Sequence, residues 1–320
     1  MWEIQFYNEK VLFGNKSIEK LKELEIKHPI IVTTKSLINS ELILKINEYI
    51  KADKIIQGPS QHTPENELEE LETLITSKSV ISIGGGSVID AVKLANPYLH
   101  IAIPTTLSGA EHTAIAGFTK EGIKVSSKVK PPDIIILDPE VIKYTPEWLL
   151  NSTAFRALDH AIEAIYSTRA SPFTDALSIE GYKYMINCLE KKDLLQCQIG
   201  VWLSSLAFMY AGRGLSHVFG YIFGPAFNIP HGITSCISLP KAIEFNIEQA
   251  KGKLSLLDND VKERIIGLMK KVNLMEKLSK YASLENALKF STLLANLTNN
   301  SENPRKISVK DAEMFIKSLF

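Results

Sequence analysis

Charge imbalance, cysteine and long apolar runs are all scarce in this 320-residue chain, and each scarcity excludes something. Lys and Arg total 36 and are matched by 36 Asp and Glu. No basic surplus is present to neutralise phosphates, which argues against a nucleic-acid binder. With 45% of its residues apolar, the chain is not of the disordered class, which joins low hydrophobicity to high net charge. Uninterrupted apolar runs stay short of the length a membrane span needs, so no membrane segment is expected. Residues 1–10 carry Glu3 and Glu9 and lack the apolar stretch of a signal peptide. Cys188, Cys197 and Cys236 stand at no metal-ligand spacing and cannot all pair with one another, so the expected setting is a reducing cytoplasm. Arginine is the scarcest charge: there are five, and none precedes Arg156.

What is present divides in two. Up to about residue 145, short apolar runs alternate with helix-like segments. Strands are expected at 29–33, 54–57, 80–83, 101–104 and 133–138, with helices at 36–51, 64–77 and 87–96 between them. That alternation implies crossover units on a parallel sheet. From residue 146 to 320 the period is helical, over 151–170, 173–189, 195–212, 259–273, 284–298 and 308–319, with turns at Lys191, Gly252 and 299–304. The expectation is an α/β domain over 1–145 followed by an all-helical domain over 146–320.

Two strand ends in the first half carry ligand chemistry. One strand runs into Gly84, Gly85 and Gly86, and a helix starts at Ser87. Glycines admit close backbone approach, and a helix start offers unpaired N–H donors, so the pair forms an anion site suited to phosphate. Asp90, one turn inside the helix, can bond back to the loop or meet a ribose or nicotinamide. Thr105, Thr106 and Ser108 follow the next strand and offer hydroxyls at the carboxyl end of a sheet, where open α/β sheets bind ligands. In the second half, His160, His217 and His231 lie in apolar surroundings, and Tyr221 shares a helix face with His217. His28 and His100 read as surface or loop residues, and His62 and His112 as possible rims of a pocket.

The glycine turn through Asp90, Pro104-Thr105-Thr106, the stretch His160-Ala-Ile-Glu163, and His217 with His231 recur in an order that resembles the iron-type (group III) alcohol dehydrogenase superfamily. The resemblance implies a Rossmann-like nucleotide domain, a helical domain, and NAD(P)-dependent hydride transfer between a carbonyl and an alcohol. It also implies a homodimer or larger assembly acting on a small-molecule carbonyl or alcohol. Metal-dependent members hold iron or zinc with three histidines, here His160, His217 and His231, and an aspartate, which here is Arg156. A guanidinium about 6 Å from a divalent ion would be repelled by about 5 kcal/mol at an effective dielectric of about 20. Asp159, about 100° round the helix from His160, is not expected to replace the missing ligand.

Arg156 then either replaces the metal's charge, by holding a substrate carboxylate or polarising the carbonyl oxygen, or turns outward into a surface pair. The shortened loop Pro104–Thr113 is similar to the maleylacetate reductase branch, which implies metal-independent reduction of a carboxylate-bearing keto compound. On that reading His217 or Tyr221 delivers the proton, and His160 and His231 set the polarity of the pocket. Two other readings stay open: a metal-dependent alcohol dehydrogenase, with a divalent metal on the three histidines, and a nucleotide-binding protein without redox turnover. The resemblance also places Lys124 near the cofactor and Thr33 and Thr34 at the adenosine ribose. NAD-selective relatives carry an acid at position 34, which repels a 2′-phosphate; Thr34 beside Lys35 does not. A cofactor titration is therefore expected to show NADPH accepted at least as readily as NADH, and a strong NADH preference would refute this.

Overall fold

The computed structural model describes residues 4–320 except Asn8, Gln61, His62, Glu121 and Gly122; the side chains of Ile123 and Lys124 also lie outside the description. His62, expected at a pocket rim, and the Lys124 side chain, expected near the cofactor, thus fall outside it. The chain divides into two compact units, the first ending at Pro146 and the second beginning at Glu147.

The first unit contains strands β1 (Lys10–Phe13), β2 (Ile30–Thr33), β3 (Lys54–Gln57), β4 (Ser79–Gly84), β5 (Leu99–Pro104), β6 (Ile115–Lys120), β7 (Ile123–Lys128) and β8 (Ile134–Leu137). Six form one sheet in the order β1-β8-β5-β4-β2-β3, all pairs parallel, while β6 and β7 make a separate antiparallel hairpin. Helices α1 (Glu41–Ile50), α2 (Glu65–Ile75), α3 (Gly86–Leu94) and the short α4 (Pro139–Ile142) complete the unit.

Alternation along the strands explains the layering. Ile31, Ile81, Ile83, Ile101 and Ile103 face one way and pack with Leu42, Ile43 and Ile46 of α1. Ile30, Val32 and Val80 face the other way and pack with Leu68, Leu71 and Ile75 of α2 and Val88, Ala91 and Val92 of α3. Both faces of the sheet are covered, which is why its strands read as continuous apolar runs. The chain leaves β2 toward β3 on one side and returns to β4 on the other. The switch point therefore falls between the carboxyl ends of β2 and β4, where such sheets bind ligands.

His100 corrects the reading of a surface residue. It is buried in β5, its Nε2 lies 2.8 Å from the Ser82 hydroxyl, and burial, reinforced by Lys93 and Lys130, lowers its imidazole to about 3. His112 is buried too, whereas His28 is exposed as expected. Strands β1, β6 and β7 escaped the sequence reading because they are short or polar, and β1 and β6 are only partly buried.

The second unit is helical: α5 (Glu147–Tyr166), α6 (Pro172–Lys191), α7 (Leu194–Ala211), α8 (Leu215–Ala226), α9 (His231–Leu254), α10 (Val261–Lys271), α11 (Leu284–Leu288), α12 (Ser291–Asn299) and α13 (Val309–Lys317). Helix α5 is buried without a break from Ser152 to Tyr166 and packs on α6, α7 and α9. Helix α9 runs through Gly252, where a turn was expected. A glycine costs a helix about 1 kcal/mol, and the buried stripe Leu239, Ile243, Ala250 and Leu254 outweighs it. By length and composition α7 could cross a membrane. Its packing on α5 and α6, with Gln198, Ser204 and Ser205 buried, is that of a core helix.

Cys188 and Cys197 form a disulfide across the α6–α7 turn and Cys236 stays free, a pairing that the expectation of a reducing setting did not include. Along the same hairpin, a Cβ added at Gly181 would stand 2.9 Å from the backbone nitrogen of Ser204. Gly181→Ala gains about 1 kcal/mol of helix propensity but forces two backbones apart, an overpacking cost of about 1–3 kcal/mol. Urea denaturation should show a net loss of roughly 1 kcal/mol; a stabilised variant would contradict the close approach.

Candidate active site

At the switch point of the first unit, the glycine turn is enclosed by hydroxyl residues. A Cβ at Gly84 would meet Thr34 Cγ2 at 3.2 Å, one at Gly85 would meet Thr106 Cγ2 at 3.1 Å, and one at Gly86 would meet Ser108 Oγ at 3.1 Å. The structure thus gathers Thr34, Gly84, Gly85, Gly86, Thr106 and Ser108. Gly85 caps α3 without a side chain, so the first N–H groups of the helix stay open to an anion. Among the described residues, the buried hydroxyls of Thr106 and Ser108 have no hydrogen-bond partner. Unsatisfied donors beside a bare helix start are what a phosphate would satisfy.

Other residues expected here serve the frame. Thr33 donates to the Ile83 carbonyl at 2.7 Å, and the Thr105 carbonyl accepts from Thr145 at 2.6 Å. The Ser87 carbonyl accepts from Thr63, leaving the half-buried Ser87 side chain at the helix start. Asp90 pairs with Lys93 at 2.8 Å and accepts from the Gly117 N–H at 3.1 Å, so its carboxylate is engaged within the protein.

The second cluster is built on α5. Arg156, Asp159 and Glu163 lie three and four residues apart and share one face. Arg156 is 3% exposed, which rules out the outward-turned alternative. Its Nη1 donates to the Ser235 hydroxyl at 3.1 Å and lies 3.7 Å from Asp159 Oδ2. Among the described residues, Ser235 is the one hydrogen-bond acceptor of this guanidinium. Burial pulls Arg156 below its ordinary range, opposed by Asp159, Tyr221 and Glu163. Asp159 Oδ2 also accepts from Ser216 and Ser235, both at 2.7 Å, while Oδ1 has no hydrogen-bond partner. Burial would raise this carboxyl, but His217, Arg156 and Ser216 outweigh it and hold it below its ordinary value.

Glu163 organises the start of α8. Its oxygens accept from the N–H groups of Gly214 and Ser216, each at 2.7 Å, and from His217 Nδ1 at 2.7 Å. A carboxylate accepting from Nδ1 sets the imidazole so that Nε2 points away. Nε2 of His217 is buried without a hydrogen-bond partner among the described residues. The His217 ring stacks on His160 at 4.9 Å and approaches Phe208 at 4.2 Å. His160 Nδ1 lies 3.2 Å from the Ser205 hydroxyl.

Tyr221 and His231 form a neighbouring pair, rings edge to face at 6.0 Å, with the Arg213 guanidinium 5.0 Å from the tyrosine ring. His231 is the first residue of α9, not part of a turn. Its placement depends on Gly232, where a Cβ would stand 2.6 Å from the Ser152 backbone. Arg156, His160 and His217 are thus brought together, with Tyr221 and His231 paired beside them. Asp159 and Glu163 were missed as site residues. Asp159 had been judged only by its angle to His160, although its spacing from Arg156 and the serines of α8 and α9 decide its role.

Residues 8–139 match the family described as iron-containing alcohol dehydrogenase, and residues 151–319 match the C-terminal part of the Fe-containing alcohol dehydrogenase family. The chain belongs to the iron-containing alcohol dehydrogenase family. It is an oxidoreductase of that superfamily. It is 31% identical over 261 residues to a 1-propanol dehydrogenase of Citrobacter freundii, covering 73% of this chain and 70% of that one. It is 31% identical over 211 residues to maleylacetate reductase 1 of Rhodococcus opacus, covering 60% and 58%. The fold matches maleylacetate reductase of Agrobacterium tumefaciens with a TM-score of 0.88 at 20% identity, over 100% of this chain and 98% of the other.

Burial, followed by the charges of His217 and Arg156, holds the His160 imidazole well below its ordinary value of 6.5. The unfolded chain then takes a proton below pH 6.5 that the folded protein refuses, so this stability is complete above 6.5 and lost as pH falls. Asp159, depressed from 3.8, acts in the same direction at lower pH. Between pH 6.5 and 5 the stability difference between wild type and His160→Gln should shrink by about 1.4 kcal/mol per pH unit, as one proton requires. Parallel pH profiles from urea denaturation would show that His160 titrates normally.

Proposed function

We propose that this oxidoreductase reduces a carbonyl compound bearing a carboxylate, using NADPH or NADH and no catalytic metal. The observation that carries this reading is Arg156: a buried guanidinium with, among the described residues, a single hydrogen-bond acceptor, beside a histidine whose Nε2 has none there. The open N–H groups at α3 and the hydroxyls of Thr106 and Ser108 suit a dinucleotide phosphate, with Thr34 next to them. When bound, the nicotinamide supplies the hydride that reduces the carbonyl carbon.

As the carbon is reduced, negative charge grows on the carbonyl oxygen, and the spare N–H donors of Arg156 are fixed in a dry site to meet it or an adjoining carboxylate. Starting as an imidazolium, His217 delivers its Nε2 proton to that oxygen and ends as the neutral ring, keeping the Nδ1–H that Glu163 holds in register. Tyr221, beside Arg156, is the other candidate donor, and His160 and His231 give the surroundings their polarity.

The donor set argues against an ion. Asp159, Glu163 and His217 offer ligand atoms within 4.8 Å of one another, and neither His160 nor His231 joins that group among the described residues. The Glu163 oxygens are already engaged by two backbone N–H groups and His217 Nδ1, and Arg156 stands 3.7 Å from Asp159. A cation there would meet another cation while competing for occupied donors.

Metal analysis of the purified protein should find no stoichiometric iron or zinc, and activity on keto acids should survive EDTA. Arg156→Gln should lower kcat/KM by roughly 100-fold or more, the usual effect of removing one oxyanion donor. Tightly bound metal with activity lost on chelation would establish the metal-dependent reading instead. Cofactor binding without turnover of any aldehyde or keto acid would make the chain a non-redox nucleotide binder.

A further inference from the structure

Lys93 carries a fully buried charge in the first unit. Its side chain is 0% exposed although it lies in the last turn of α3. Its ammonium donates to the carbonyls of Ala110 and Ile115, both at 2.7 Å, and meets Asp90 Oδ1 at 2.8 Å. The Thr113 carbonyl and hydroxyl lie further off, at 3.2 and 3.4 Å. Two backbone carbonyls thus accept at close range, and the Asp90 carboxylate stands beside the ammonium as its counter-charge. Asp90, from the same helix, reaches further along the same segment to the Gly117 N–H. Residues 110–117 are therefore stapled to α3 by side chains, and their strand β6 pairs in sheet fashion with β7.

The stapled segment begins two residues after Ser108. Ala110 itself approaches the glycine turn: its Cβ would stand 3.6 Å from a Cβ at Gly86, where Ser108 Oγ would stand at 3.1 Å. Lys93 lies about 10 Å along the helix from Gly86, too far to touch a phosphate at the turn. Its action on that site runs through the loop.

We propose that Lys93, with Asp90, is a positioning residue for the cofactor, holding Ala110–Gly117 on α3 so that the Thr106 and Ser108 hydroxyls stay against the glycine turn. The proposal rests on the nucleotide reading of that turn. An uncharged side chain of equal length takes the ammonium away from Asp90 and leaves the Ala110 and Ile115 carbonyls only the longer bonds from Thr113, at 3.1 to 3.4 Å, so the loop loosens while the helix start remains intact.

The test uses the full chain and direct titration with NADPH and NADH. Lys93→Met should weaken cofactor binding roughly tenfold or more, with kcat at saturating cofactor little changed. In a Thr106→Ala/Ser108→Ala background the same substitution should add less than about twofold, because its effect passes through those hydroxyls. Should Lys93→Met fail to fold, Asp90→Asn, which releases the Gly117 end, is put through the same cycle. Folded variants that bind cofactor as wild type does, or that weaken it equally in both backgrounds, overturn the proposal while the nucleotide reading stands. A wild-type protein that binds neither cofactor overturns both.

Discussion

Charge compensation inside a dry helix governs the second unit. Helix α5 carries Arg156, Asp159 and Glu163 on a stretch with no access to water, and an uncompensated charge there would cost several kcal/mol. Each is therefore matched: Glu163 by two backbone N–H groups and His217, Asp159 by two serines and Arg156, Arg156 by Asp159 and Ser235. The positions of α8 and α9 follow from this matching, because both helices supply partners. What the matching leaves over is also informative. One nitrogen of His217 stays without a hydrogen-bond partner among the described residues.

The two halves of the molecule leave polar atoms open by different means. Around the glycine turn the open groups are backbone N–H donors and short hydroxyls, which recognise an anion by geometry and carry no charge of their own. Around Arg156 the open groups belong to ionisable side chains whose protonation the burial controls. One arrangement suits holding a ligand of fixed charge. The other suits a reaction in which charge appears and is discharged.

Much of this was legible from residue order. The alternation of strands and helices, the glycine turn between β4 and α3, and the histidines of the helical half are local patterns, and the parallel sheet follows from the first of them. What escaped depended on partners distant in sequence. Asp159 takes its role from Ser216 and Ser235, some sixty to eighty residues away, and His100 is set by its register against Val80 of the neighbouring strand, which brings its Nε2 to the Ser82 hydroxyl. Gly252 misled because a local propensity was weighed without the buried stripe that overrides it. The disulfide was missed because residue spacing says nothing of how closely α6 and α7 approach.

The Glu163 bonds to Gly214 and Ser216 have a consequence for how the molecule assembles. Helix α8 begins at a glycine with no side chain to close its first turn, and the cap comes from Glu163 of α5, some fifty residues earlier, with Asn303 taking the Leu215 N–H. A chain in which α5 has not yet docked leaves that turn frayed and His217 unaligned. The imidazole and the fold around it therefore form and melt as one cooperative unit, and a partly folded chain presents no half-built centre to its surroundings.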